Sequence, residues 1–239
     1  MTDTARMSRV LSNLQLSRDF FLMRVAEPNE AKMGQFYMLR SWGMYPLLSR
    51  PLSVYDADPE TLTFLYKVVG QGTKLFSGLR AGDSVATGRA LGNTFPVVTG
   101  RVALVGGGVG IAPLYLTAKT LKKMDASTRL DLYLGFSDEA VLCGEFEKVG
   151  DRVVTDVGGF ITDRISPEDY DWVLTCGPEA MMRALYGKCE KAGTKLYVSM
   201  ERRMACGFGV CLACGCDTSR GRKKVCVDGP VFPAEEVFI

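Results

Sequence analysis

The stretch Arg101-Val102-Ala103-Leu104-Val105-Gly106-Gly107-Gly108-Val109-Gly110-Ile111-Ala112-Pro113 decides how this 239-residue chain is read. Residues 101–105 make a short apolar strand. Three consecutive glycines stop it, and a helix-like pattern follows over 112–124. Glycines let a backbone approach a pyrophosphate, and a helix start favours negative charge. The run departs from a strict G-x-G-x-x-G, and a tight strand-to-helix connection would look the same. The strand–turn–helix context points to nucleotide binding at Gly107, Gly108 and Gly110.

Downstream, strands are expected at 130–135, near 152–155, at 172–175 and at 196–199, with a helix over 178–192. Strands alternating with helices imply a doubly wound parallel α/β domain over 99–200. Ligands of such sheets lie beyond the carboxyl ends of the strands. Cys176, Gly177 and Pro178 end the 172–175 strand, so they fall near the same ligand. The plainer reading of Cys176 is a small buried apolar side chain.

Upstream, residues 1–98 read as antiparallel β structure, a barrel or a sandwich. Short segments at 35–39, 52–55, 61–69 and 84–87 are rich in β-branched and aromatic residues, with turn signals between them. Arg50-Pro51-Leu52-Ser53 opens one strand, and Gly70-Gln71-Gly72-Thr73 closes a later one. An arginine can fork onto a diphosphate. A serine hydroxyl can reach a ring heteroatom, and a Gly-Thr turn offers amides and a hydroxyl to phosphate. A solvated surface arginine is the alternative.

Cysteine divides the chain further. Residues 1–142 hold none, Cys143, Cys176 and Cys189 are scattered, and five more fall between Cys206 and Cys226. Cys206-x4-Cys211-x2-Cys214, with Cys226 beyond, is the plant-type [2Fe-2S] spacing. Gly207 and Gly209 sit in the first gap, where a tight loop needs them. Four cysteines also suit zinc, but zinc sites usually pair two C-x2-C hooks and this stretch has one. Cys216 is read as a surplus thiol outside the ligand set. Residues 201–239 thus form a third, small module.

Composition narrows the chemistry. Histidine is absent, which removes the usual general base, the Ser-His triad and His-ligated zinc. A net charge of +2 directs the chain toward neither nucleic acid nor anionic lipid. Residues 1–15 lack a leader pattern, and the apolar run at 102–117 is too short and glycine-rich to span a membrane. A cytoplasmic protein is expected, in which eight cysteines serve metal or redox chemistry rather than disulfides.

Together these segments resemble known families. The β region with Arg50-Pro51-Leu52-Ser53 and Gly72-Thr73 resembles the flavin domain of the ferredoxin–NADP reductase superfamily. Residues 106–113 and Cys176-Gly177-Pro178 resemble its pyridine-nucleotide domain. The tail Glu201-Arg202-Arg203-Met204-Ala205-Cys206-Gly207-Phe208-Gly209-Val210-Cys211, with Val225 to Phe232, is similar to the electron transfer subunits of NAD-dependent dihydroorotate dehydrogenases. The resemblance implies an FAD-binding β-barrel, with Arg50, Pro51, Leu52 and Ser53 on the flavin and its diphosphate. It also implies Leu65, Tyr66 and Lys67 on the next strand, and Gly72 and Thr73 on the phosphates. NAD(H) would bind the second domain, with Cys176 beside the nicotinamide. A [2Fe-2S] cluster would sit on Cys206, Cys211, Cys214 and Cys226. The implied partner is an FMN-containing catalytic subunit, in a heterotetramer of two copies each serving pyrimidine biosynthesis. Electrons would pass from dihydroorotate through FMN, cluster and FAD to NAD⁺, with no acid–base residue required. Related flavin/iron–sulfur subunits serve sulfhydrogenases and NADH-dependent ferredoxin:NADP⁺ oxidoreductases. The segment Thr155-Asp156-Val157-Gly158-Gly159-Phe160 is shorter than the loop often found in the family, which bears on nucleotide contacts there. Phe136-Ser137-Asp138-Glu139 after the second strand suits either NAD or NADP.

Overall fold

The computed structural model describes residues 6–239; residues 1–5, part of the stretch read for a leader, lie outside the described residues. Six antiparallel strands close a barrel: β1 (Arg6–Gln15), β2 (Phe20–Ala26), β3 (Phe36–Arg40), β4 (Arg50–Asp58), β5 (Thr61–Lys67) and β6 (Ser84–Thr87), in the order β1-β2-β5-β4-β3-β6. Closure leaves no free sheet edge. Inward residues such as Met23, Val25, Leu39, Val54, Leu62 and Phe64 fill the interior without solvent contact. The turn after β5 opens a short helix, α1 (Gln71–Ser77).

The second sheet contains β7 (Arg101–Gly107), β8 (Arg129–Phe136), β9 (Arg152–Val157), β10 (Trp172–Cys176) and β11 (Lys195–Ser199), all parallel. Helices α2 (Ala112–Met124) and α4 (Glu179–Ala192) cover its two faces, and the one-turn α3 (Cys143–Phe146) precedes β9. Residues 102–105 are fully buried, which explains their unbroken apolar run. The order β11-β10-β7-β8-β9 reverses direction between β7 and β10. That reversal opens a crevice at the carboxyl ends of the two strands. Cys176 and Gly106 face each other there in register.

The tail returns to this sheet. After a hairpin of β12 (Gly215–Thr218) and β13 (Gly221–Lys224), β14 (Val231–Pro233) pairs antiparallel with β11, and α5 (Ala234–Val237) follows. Cys214, Cys216, Val225 and Cys226 share one core with Leu185 and Cys189 of α4. Asn93, between the barrel and the second sheet, clamps the tail. Its side chain donates to the Asp228 and Val231 carbonyls at 3.1 and 2.8 Å and accepts from the Val231 amide at 2.9 Å.

Barrel and sheet also meet through α2. Tyr55 of β4 stacks on Tyr115 at 4.4 Å, a contact worth about 1 kcal/mol beyond the area it buries. Among the described residues no helix is long and apolar enough to cross a membrane.

Candidate functional site

Two clefts meet where the barrel faces the second sheet. The first is opened by the start of β4. Strand alternation turns Leu52 into the barrel core and leaves Pro51 and Ser53 on the cleft side. The same alternation on β5 exposes Lys67 to the cleft and buries Tyr66. The Tyr66 ring stacks on Phe21 at 5.6 Å and its hydroxyl donates to Asn13 at 3.1 Å. Tyr66 therefore borders the cleft along its backbone, while Leu65 packs toward α2.

Arg50 lies against Gly72 so closely that a Cβ at residue 72 would overlap the guanidinium. The guanidinium also sits over the Trp42 ring, 5.3 Å from its centroid, and donates to the Leu48 carbonyl. Among the described residues no carboxylate pairs with it. The first amides of α1 have no intrahelical acceptors. A cation and free amides held together on a glycine fit a diphosphate. The Thr73 hydroxyl is already engaged: it accepts from the Val69 and Gly70 amides at 3.0 and 3.2 Å and donates to the Gly70 carbonyl. Thr73 thus holds the turn closed and has its own amide left for a ligand.

The second cleft, of about 550 Å³, lies over the crevice between β7 and β10. Glycine is required here by lack of room. A Cβ on Gly110 would overlap the Cys176 carbonyl, and one on Gly107 would come within 2.7 Å of Met181 Sδ. Gly177, at φ +152°, lies against the Gly107 backbone from the other side. Gly108, at φ +56°, has open space where a side chain would stand and lines the opening. Pro178 lines the cleft, as do Gly159 and Phe160 at the end of the short 155–160 segment and Ile161 and Thr162 after it. Ser137 donates to Asp138 at 2.9 Å beside it.

Cys176 itself is 1% exposed and sits beneath the cleft floor. Its thiol points at Glu201, 3.9 Å from Oε1. Burial, reinforced by the Glu201 charge, pushes the Cys176 thiol well above the ordinary range. Glu201 is solvent-exposed and lines the crevice. The surrounding protein raises its carboxyl pKa, and the thiol contact partly offsets that. Glu201 and Lys67 each line both clefts. The sequence reading missed Glu201 as a cleft residue. The signal was available: it stands two residues past the end of β11, at the carboxyl edge of the sheet.

The cysteine loop docks on the barrel. A Cβ on Gly207 would come within 2.9 Å of Met38 and 3.1 Å of Leu91. Met38 is the register partner of Pro51, so the loop sits one strand away from the first cleft. Gly207, Gly209 and Leu212 have φ of +78°, +87° and +60°. This winding aims the amides of Phe208, Val210 and Cys211 at the Cys206 sulfur. Burial pushes that thiol up, but the converging amides outweigh it and bring it to about 6. The thiols contact in two pairs, Cys206 with Cys211 and Cys214 with Cys226. Burial and the Cys214 thiol beside it push Cys226 up to about 12. The Cys226 amide donates to Cys214 Sγ at 3.5 Å. Two thiol pairs beside inward amides fit a two-iron, two-sulfide group. Among the described residues no three Cys, Asp or Glu side chains gather as a single metal ion would need. Cys216 is 5% exposed, its side chain packed on the inner face of β12.

Comparison with known proteins agrees with this layout. Residues 201–238 match the iron-sulfur cluster binding domain of dihydroorotate dehydrogenase B. The chain is similar to the electron transfer subunit of dihydroorotate dehydrogenase B (NAD(+)) of Clostridium acetobutylicum, 40% identical over 100% of this chain and 99% of that one. It is similarly related to the Clostridium perfringens subunit, 38% identical over 96% of each chain. Among solved structures, one describing the NADH-dependent reduced ferredoxin-NADP oxidoreductase superposes with a TM-score of 0.87. The two are 32% identical, over 99% of this chain and 91% of that one. The chain belongs to the family of electron transfer subunits of NAD⁺-dependent dihydroorotate dehydrogenase B.

Proposed function

We propose that this chain is the electron transfer subunit of an NAD-dependent dihydroorotate dehydrogenase, carrying electrons between a catalytic subunit that holds FMN and NAD⁺. The observation that supports this reading is the meeting of the two clefts at Lys67 and Glu201, with the cysteine loop seated on the same barrel wall. The first cleft suits FAD, with Arg50 and the α1 amides on its diphosphate and Pro51, Ser53, Leu65 and Lys67 along the ring. The second suits NAD(H) on Gly107, Gly108, Gly177 and Pro178. Cys206, Cys211, Cys214 and Cys226 would hold a [2Fe-2S] cluster. When bound, the flavin supplies two-electron exchange with nicotinamide, and the cluster supplies one-electron exchange with the partner.

The chain's own residues bind and orient. Gly110 closes the turn against β10, which fixes where the α2 amides point. Cys176, held protonated beneath the floor, keeps the crevice free of thiolate charge. The exposed rim of the cysteine loop, Phe208, Val210 and Leu212, is where the catalytic subunit would dock. The divisions at 98/99 and 200/201, a cytoplasmic location and the assembly of two copies of each subunit belong to the same proposal.

The test is anaerobic purification followed by mixing with the orotate-forming subunit. The isolated chain should show flavin and iron–sulfur absorbance with two irons per chain. On mixing, dihydroorotate should drive NAD⁺ reduction. A zinc-loaded, iron-free preparation, or a mixture that forms no NADH, would sink the reading. A second reading, a subunit of an NADH-dependent ferredoxin-NADP oxidoreductase, is favoured by the 0.87 superposition. Ferredoxin-dependent turnover without any response to dihydroorotate would select it.

A further inference from the structure

Strand β4 and helix α2 each carry one of the two seats. Arg50–Ser53 open β4, and the glycine turn runs directly into α2. Beyond the seats, the two elements are locked side by side. Tyr55 stacks on Tyr115 with ring planes 8° apart, and Phe146 of α3 meets both rings edge-on at 6.2 and 5.4 Å. The neighbouring residue of β4, Asp56, pairs with Lys119 at 2.5 Å, one turn along α2 from Tyr115. Contacts between domains of one chain are by default polar and mobile. This one is aromatic, 4% and 8% exposed at its two tyrosines, and pinned at successive residues of β4 and successive turns of α2. The Tyr55 hydroxyl is buried with no hydrogen-bond partner. Such a group is costly, so the interface uses the ring and not the phenol.

We propose that Tyr55, Tyr115 and the Lys119–Asp56 pair are positioning residues that fix the spacing of the flavin seat and the nicotinamide seat. They set the rate of hydride exchange and leave the affinity for either ligand alone. The inference rests on the reading of the two clefts given above. Hydride exchange needs its reacting atoms about 3–3.5 Å apart, and a displacement of about 1 Å costs on the order of 100-fold. A joint this close to both seats is where such a displacement would be prevented.

The test uses the full-length, FAD-loaded chain and its Tyr55→Leu, Tyr115→Leu, Lys119→Met and Tyr55→Phe variants. NADH is the probe. Bleaching of the flavin is followed by stopped flow, and the long-wavelength flavin–nicotinamide absorbance reports ring spacing independently of turnover. Tyr55→Leu and Tyr115→Leu should slow the limiting bleaching rate about tenfold or more and weaken that absorbance, with the NADH dissociation constant unchanged. Lys119→Met should do the same to a smaller degree. It changes a half-exposed side chain, so it keeps the test alive if a tyrosine variant fails to fold. Tyr55→Phe should restore both readouts. Wild-type rates and absorbance in the leucine and methionine variants would overturn the inference. So would an effect confined to the dissociation constant, or an equal loss in Tyr55→Phe. A wild-type chain that NADH does not bleach would overturn the reading of the clefts, and the inference with it.

Discussion

The nucleotide turn and the cysteine loop are both glycine-rich connections, and they use glycine for opposite reasons. In the turn no Cβ fits, at Gly110 because its backbone packs on the backbone of Cys176 and Gly177, and at Gly107 because the Met181 and Pro178 side chains close over it. In the loop, Gly207 and Gly209 are needed for positive φ, which lets successive amides face one sulfur. The thiols diverge accordingly. Cys176 lies under the crevice with its proton held on by burial, whereas Cys206 is drawn toward the thiolate by amide donors. The turn closes the backbone against its neighbours, whereas the loop opens it toward the sulfur.

That contrast can be broken at four points. Cys206→Ser removes a thiolate from the loop and nothing from the crevice. It should abolish the iron–sulfur absorbance and dihydroorotate-driven NAD⁺ reduction, while direct bleaching of the flavin by NADH survives. Loss of both activities would mean that the two regions are not separable. Gly110→Ala forces a methyl into the Cys176 carbonyl. Urea unfolding should register a loss of about 3 kcal/mol, with NADH binding weakened and iron content unchanged. Asn93→Ala deletes the clamp on the tail. About 2 kcal/mol of stability should go, seen as faster hydrogen exchange across 228–239. Smallest of the four is Cys216→Ala, which should cost about 1 kcal/mol of packing and leave two irons per chain. A drop in iron there would make Cys216 a ligand and redraw the loop.

Much of this was legible from local chemistry. The strand at 84–87 and the helix at 112–124 fall on their expected bounds because turn residues and glycines punctuate them. Strand β1 was missed because it mixes polar and apolar positions and shifts register between Val10 and Ser12, which erases a period-two pattern. The turn at 70–73 reads from sequence as a strand end that offers amides and a hydroxyl to phosphate, and the structure adds that it starts α1. Within the first cleft, the motif Arg50-Pro51-Leu52-Ser53 was visible, but only barrel closure turns Leu52 inward and leaves Pro51 and Ser53 outward. Glu201 was hidden for a different reason. It stands two residues past β11 in a segment whose cysteines point to iron, and the crevice it lines is made by β7 and β10, earlier in the chain. The pairing of β14 with β11 is non-local in the same way and left no mark in periodicity.

That pairing has a consequence for how the molecule can change. β11 and β14 are adjacent antiparallel strands, so residues 200–230, the cysteine loop included, are topologically the connection of one hairpin. The entropy of closing a loop grows only slowly with its length. The connection can therefore be lengthened at its exposed positions at little cost in closure entropy, provided its buried residues keep their core with α4 and both strands still meet at the sheet edge. A chain cut before residue 231 would lose more than the carrier. It would leave β11 as a bare edge and unseat the Asn93 clamp, so damage to the redox appendage would be felt first as instability of the nucleotide domain.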